Sequence, residues 1–123
     1  FPWGNDPPTC SLANFMPFMW GCADDDTSHV GAYSCGRSPY GIPDMAGNVR
    51  EWVSDWWQVD YYSISPYRNP TGPLDGLYKV VRGGGFRDVD SGVTVWDRGL
   101  DFPSGSEETG YYIGFRCAKS AAD

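Results

Sequence analysis

Apolar positions along this chain seldom repeat at a helical spacing. In residues 1–43 the large apolar side chains Trp3, Phe15, Phe18 and Trp20 stand among turn formers: Pro7-Pro8, Gly21, Asp24-Asp25-Asp26, Gly31, Gly36 and Ser38-Pro39. That pattern predicts an ordered loop with those aromatics to bury. Residues 44–57, DMAGNVREWVSDWW, open with a tight turn at Ala46-Gly47-Asn48. Strand-like alternation follows, with Val49, Glu51 and Val53 on one face and Arg50, Trp52 and Ser54 on the other. Pro66, Asn69-Pro70 and Gly72-Pro73 mark 58–76 as loop. Lys79-Val80-Val81-Arg82 reads as a short strand entering Gly83-Gly84-Gly85, where successive glycines signal a bulge or a close backbone approach. A further strand is expected from Val93 to Arg98, a loop at Pro103-Ser104-Gly105-Ser106, and a closing strand from Tyr111 to Cys117. There are no internal repeats. The expected fold is α+β or mostly β, one domain over 1–123, with short antiparallel strands, long irregular loops and little helix.

Composition supports that picture. Six Trp, eight Tyr and six Phe supply unusual aromatic mass for 123 residues. Gly and Pro together make about a fifth of the chain, against about an eighth in average proteins. So much aromatic content argues against disorder. The net charge of −7 disfavours a general nucleic-acid role and suits cation binding, although acidic surface is often only solvated. No apolar run approaches the roughly 20 residues of a membrane-spanning helix. Phe1-Pro2-Trp3-Gly4 has neither the charged start nor the apolar segment of a leader, so the chain reads as beginning inside a longer or processed polypeptide.

Cys10, Cys22, Cys35 and Cys117 lack the close pairs of a zinc site. Two disulfides, and with them an extracytoplasmic protein (secreted, periplasmic or at the cell surface), are the simplest expectation; buried free thiols are the alternative.

Several segments carry a resemblance. Phe1-Pro2-Trp3-Gly4-Asn5, Ala13-Asn14-Phe15, Tyr40 to Trp52 (YGIPDMAGNVREW), Asn69-Pro70-Thr71-Gly72-Pro73, Arg82-Gly83-Gly84-Gly85-Phe86 and Gly114-Phe115-Arg116-Cys117-Ala118 occur in the order seen in the formylglycine-generating enzyme/sulfatase-modifying factor family. Each alone is weak; together they resemble the C-terminal part of such a domain. The resemblance implies a C-type-lectin-like fold with bound calcium, and a partner or missing N-terminal portion that completes it. Its first calcium site would use the Asp44 side chain, the carbonyls of Gly47 and Val49, and the Glu51 carboxylate. Calcium takes six to eight oxygens, and a glycine turn can aim carbonyls inward. Without the resemblance, Asp44 reads equally as a turn cap and Glu51 as a surface strand residue. A second site would use Asn14, the Phe15 carbonyl, Asp24 and Asp26, with a solvated acidic loop as the alternative. Cys10–Cys22 would clamp the Asn14 segment. Cys117 stands where the family often has a cysteine bonded to one upstream of the PWG segment, and Cys35 is taken as the substitute for that partner.

Family oxidases work at a cysteine pair just after the RGGS-type segment. Here residues 87–95 read RDVDSGVTV, without a thiolate for copper(I). The single histidine, His29, lies far upstream and reads as structural. Catalysis is therefore not expected, and the chain reads as a pseudoenzyme. The stretch from Arg87 to Tyr112 would instead present Arg87, Asp88, Asp90, Trp96, Arg98, Phe102, Tyr111 and Tyr112 to a protein, peptide or glycan; for Trp96 and Phe102 a place in the core is the alternative. The expected function is a calcium-stabilised, non-catalytic binding or structural module. The alternatives are a fragment of a formylglycine-generating-type oxidase, and a lectin or retroelement-diversified ligand-binding protein.

Overall fold

A computed structural model describes residues 1–23, 25–104 and 112–118. Four strands form one sheet: β1 (Arg50–Trp56), β2 (Lys79–Arg82), β3 (Gly99–Asp101) and β4 (Ile113–Gly114), in the order β3-β2-β1-β4. The alternating segment after the glycine turn became β1, and the KVVR segment became β2. These two pair antiparallel through Glu51↔Arg82 and Trp52↔Val81, with a register shift before Trp56↔Lys79. A helix of four residues, α1 (Tyr61–Ile64), interrupts the loop after β1.

Two strand expectations are corrected. Val93 to Arg98 is not a strand; Asp90–Val93 forms a 3-10 turn and the strand begins at Gly99. Val93 is fully buried in the core. The carbonyls of Val95 and Asp97 accept from the Arg82 guanidinium, so a side chain bridges backbone groups that a ladder would otherwise pair. At Gly99 a Cβ would lie 2.8 Å from Val81 Cγ2, so glycine permits β3 to close on β2. The closing strand is also shorter than expected, Ile113–Gly114, and it runs parallel to β1 rather than antiparallel. Tyr111 lies outside the described residues.

Loops as much as strands build the core. Ala13, Phe15, Ala46 and Val93 pack together, with Phe1, Trp3 and Cys22 against them. Phe18 and Trp20 do not join that core; they are 86% and 81% exposed, contrary to the expectation of burial. Their loop is held at its two ends instead: Met16 N–H donates to the Asp88 carbonyl and Cys22 N–H to the Phe15 carbonyl. The Cys10–Cys22 disulfide is present. Cys35 and Cys117 are free and exposed, which corrects the second pairing. Cys35 sits in the Ser34–Gly36 turn, whereas Cys117 lines the same depression as Asp44 and Glu51.

Candidate functional site

The DMAGN turn depends on left-handed backbone at three positions. Asp44, Gly47 and Asn48 have φ of 55°, 76° and 68°. Asparagine and aspartate tolerate this region better than other side chains, and at Gly47 glycine is required for space as well. A Cβ there would lie 2.3 Å from the Asn14 carbonyl oxygen. Asn48 N–H donates to that same carbonyl at 2.7 Å, and Gly47 N–H donates to the Gly83 carbonyl. The turn is thereby pinned between the Asn14 loop and the glycine run after β2.

Asp44, Gly47, Val49 and Glu51 line one open depression of about 340 Å³, together with Arg116 and Cys117. A water takes up roughly 30 Å³, so an ion and several waters fit. The arrangement already holds a cation of its own, however. The Arg116 guanidinium donates to both Glu51 carboxylate oxygens, at 3.0 and 2.6 Å, and to the Asp44 carbonyl at 3.1 Å. The hydrogen bond to Glu51 raises the Arg116 pKa above its ordinary value, so this charge persists across the working pH range. Asp44 Oδ2 accepts from Gly31 N–H at 2.6 Å. A carboxylate offers about four lone-pair directions, so Glu51 keeps capacity for a metal beside the arginine.

The second predicted cluster has a different character. Asn14 is buried, and its Nδ2 donates to the Asp26 carbonyl at 2.8 Å and to Asn48 Oδ1 at 3.4 Å. The Asp26 partner is a backbone carbonyl, which fixes the amide orientation and leaves Oδ1 on the other side. Asn14 Oδ1 is buried with no hydrogen-bond partner among the described residues. Such an acceptor costs about 1–3 kcal/mol, and a hard cation is a chemically suitable partner. The Phe15 carbonyl accepts from Cys22 N–H, and Asp26 Oδ1 accepts from Thr27 N–H. Each acceptor retains lone-pair capacity. Asp24 falls outside the described residues. Among the described residues, no group of three or more His, Cys, Asp or Glu side chains could hold a metal alone, so either site would draw on amide and backbone oxygens.

Sequence reasoning missed Asn48, Arg116, Ser28 and Gly31. Asn48 is 8% exposed; its Oδ1 accepts from Ser28 N–H at 2.7 Å and its Nδ2 donates to the Ser28 carbonyl at 3.2 Å. The asparagine following Gly47 was the one local signal, since that residue pair favours left-handed turns.

The predicted interaction surface divides into separate patches. Arg87, Asp88 and Tyr112 line one depression with Arg50, Phe86 and Ile113. The Arg50 guanidinium donates twice to Asp88, and Gly85 N–H donates to Asp88 Oδ2. The hydrogen bond to Asp88 raises the Arg50 pKa. Exposed Arg87 reaches both carboxylate oxygens of Asp25 at 3.1 Å and stacks over Phe86 and Tyr112. Arg98 lies elsewhere, over Tyr62, in a depression shared with Asp55 and Arg82. Trp96 is exposed, as is Phe102 beside Tyr78, so neither belongs to the core; Asp90 is exposed in its 3-10 turn. His29 is exposed and joins neither cluster.

Comparison with known proteins places this arrangement. The chain is 41% identical over 111 residues to the serine/threonine-protein kinase pkn1 of Chlamydia caviae, covering 89% of this chain and 16% of that protein. It is 30% identical over 126 residues to the formylglycine-generating enzyme of Mus musculus, covering 96% of this chain and 33% of the enzyme. Among solved structures, PvdO from Pseudomonas aeruginosa superposes with a TM-score of 0.71 at 25% identity, over 91% of this chain and 40% of PvdO. The chain thus spans about a sixth to a third of these two sequence relatives, and the expected C-type-lectin-like fold of little helix and long loops holds. The family profile of the sulfatase-modifying factor enzyme 1-like domain matches residues 1–121, and the chain belongs to that family.

Proposed function

We propose that this chain is a non-catalytic, calcium-stabilised binding or structural module of an extracytoplasmic protein, and that it presents exposed residues of the 87–112 stretch, in more than one patch, to a protein partner or to a further portion of its own polypeptide. The observation that carries the non-catalytic reading is the state of Asp88. It stands just after the RGGGF segment, where residues 87–95 contain no thiol, and both its oxygens are engaged by Arg50 and Gly85 N–H. A carboxylate committed in this way neither replaces a soft thiolate ligand nor acts as a free base. The Cys10–Cys22 disulfide favours an oxidising compartment.

Calcium is supported most directly by the partnerless Asn14 Oδ1. Asn14, the Phe15 carbonyl and Asp26, with Asp24, would hold one ion. Asp44, the Gly47 and Val49 carbonyls and Glu51 would hold another, beside Arg116. Bound calcium would supply positive charge and fix the loops; no chemical step is assigned to it. Exposed Arg87, Trp96 and Phe102 suit contacts with a partner.

The test is thermal melting with calcium and with chelator, alongside an assay of a cysteine-containing peptide with copper(I) and oxygen. Calcium is expected to raise Tm reversibly, and the peptide to stay unmodified. A Tm indifferent to chelator removes the calcium reading. Oxygen-dependent turnover of the peptide replaces the non-catalytic reading with that of an oxidase fragment.

A further inference from the structure

The two oxygen clusters meet at one residue, and this has a thermodynamic consequence that rests on the calcium reading above. Asn48 belongs by sequence to the DMAGN turn, between the Gly47 and Val49 carbonyls of the first cluster. Its own polar groups reach mainly into the second. Its backbone N–H donates to the Asn14 carbonyl, its Oδ1 accepts from Ser28 N–H and Asn14 Nδ2, and its Nδ2 donates to the Ser28 carbonyl. Backbone donor and acceptor on Ser28 leave only one orientation for the Asn48 amide. A second tie runs the opposite way: Asp44 of the first cluster accepts from Gly31 N–H, five residues beyond Asp26. The 26–31 segment is therefore gripped from the first cluster at two points, while Gly47 packs directly on the Asn14 carbonyl.

Ordering shared in this way makes sites interdependent. An ion that fixes Asn14 and Asp26 also fixes the partners of Asn48, and so the turn that aims the Gly47 and Val49 carbonyls. Part of the ordering cost of the second ion is then already met by the first. We infer that Asn48 is a positioning residue that couples the two clusters, so that calcium at either one raises affinity for calcium at the other. By reciprocity the factor must be the same in both directions.

Calcium titrated calorimetrically into the protein and three variants tests this. Asn14→Leu leaves only the first site and Glu51→Gln leaves only the second. If the sites are coupled, the wild-type isotherm is tighter than the sum of the two variant isotherms, by roughly fivefold or more in the product of the constants. Asn48→Gly keeps the left-handed backbone while removing the amide, and its isotherm should fall to that sum. A wild-type isotherm equal to the sum overturns the coupling and leaves the calcium reading standing. Absence of calcium binding at millimolar concentration overturns both. If Asn48→Gly fails to fold, the comparison of wild type with the two single-site variants still decides the matter, because both retain Asn48.

Discussion

The Asp44/Glu51 cluster and the Asn14/Asp26 cluster share the wall formed by Gly47 and Asn48, yet their oxygens are satisfied in different ways. The first has a charged donor from within the chain, Arg116, on Glu51 and on the Asp44 carbonyl. The second keeps a buried amide oxygen with no donor among the described residues. The ion pair of the first is 22–35% exposed at its side chains, so solvent screens it and its stabilisation is modest. The buried amide of the second has no such relief. An added cation thus has more to gain at Asn14, whereas at Glu51 it must share the carboxylate with a guanidinium. A motif that reads clearly in sequence is not thereby the site with the greater need of a metal.

The most severe way to break the comparison is to disrupt the shared wall. Gly47→Ala combines a positive φ with a Cβ 2.3 Å from the Asn14 carbonyl oxygen, a backbone atom that cannot swing aside. Left-handed strain and overpacking together predict a loss of about 2–4 kcal/mol. Urea unfolding measures it, and calcium should rescue little, because both clusters are displaced together. A loss below about 1 kcal/mol would mean the two loops are not tightly joined.

Asn14→Leu separates the clusters more gently. It forfeits two hydrogen bonds worth about 1 kcal/mol each but also removes the partnerless acceptor, so the calcium-free protein should change by no more than about 1 kcal/mol. In calcium the variant should show a much smaller rise in Tm than wild type. A variant that still gains the full rise would assign the calcium effect to the Glu51 cluster alone.

How far the sequence discloses this molecule follows from the range of the interactions involved. β1 and β2 were legible because alternation and a flanking turn are local, and the Cys10–Cys22 clamp enclosed a short loop. The strand expected from Val93 to Arg98 failed because Arg82, distant in sequence, takes the Val95 and Asp97 carbonyls. The same holds for Phe18 and Trp20, whose aromatic character implied burial although their loop is held by its ends. At the sites, Asp44, Gly47, Val49 and Glu51 were named through the family resemblance of the DMAGNVREW segment, not through any spacing that stands alone. Arg116 on Glu51 and Asn48 on Ser28 are contacts across 65 and 20 residues that no spacing rule announces. Asn14 was named, but its unanswered oxygen is a property of burial and appears only in three dimensions.

The finest comparison is Arg116→Gln, read in an Asn14→Leu background so that only the Glu51 cluster can take calcium. Without calcium the substitution removes a partly exposed ion pair and the donor to the Asp44 carbonyl, and about 1 kcal/mol of stability should go. With calcium the direction depends on what the arginine does. If the guanidinium competes for Glu51, removing it frees both carboxylate oxygens and leaves the cluster with one positive charge fewer, and calcium should bind several-fold tighter. The chelator-sensitive part of the stability of the Asn14→Leu protein should then grow, since both Glu51 oxygens become available to the ion. If Arg116 instead holds Glu51 in place for the ion, affinity falls, and the arginine and the metal are joint occupants rather than rivals. Calorimetric constants for the Asn14→Leu protein with and without Arg116→Gln separate these outcomes, because competition and positioning move the same constant in opposite directions.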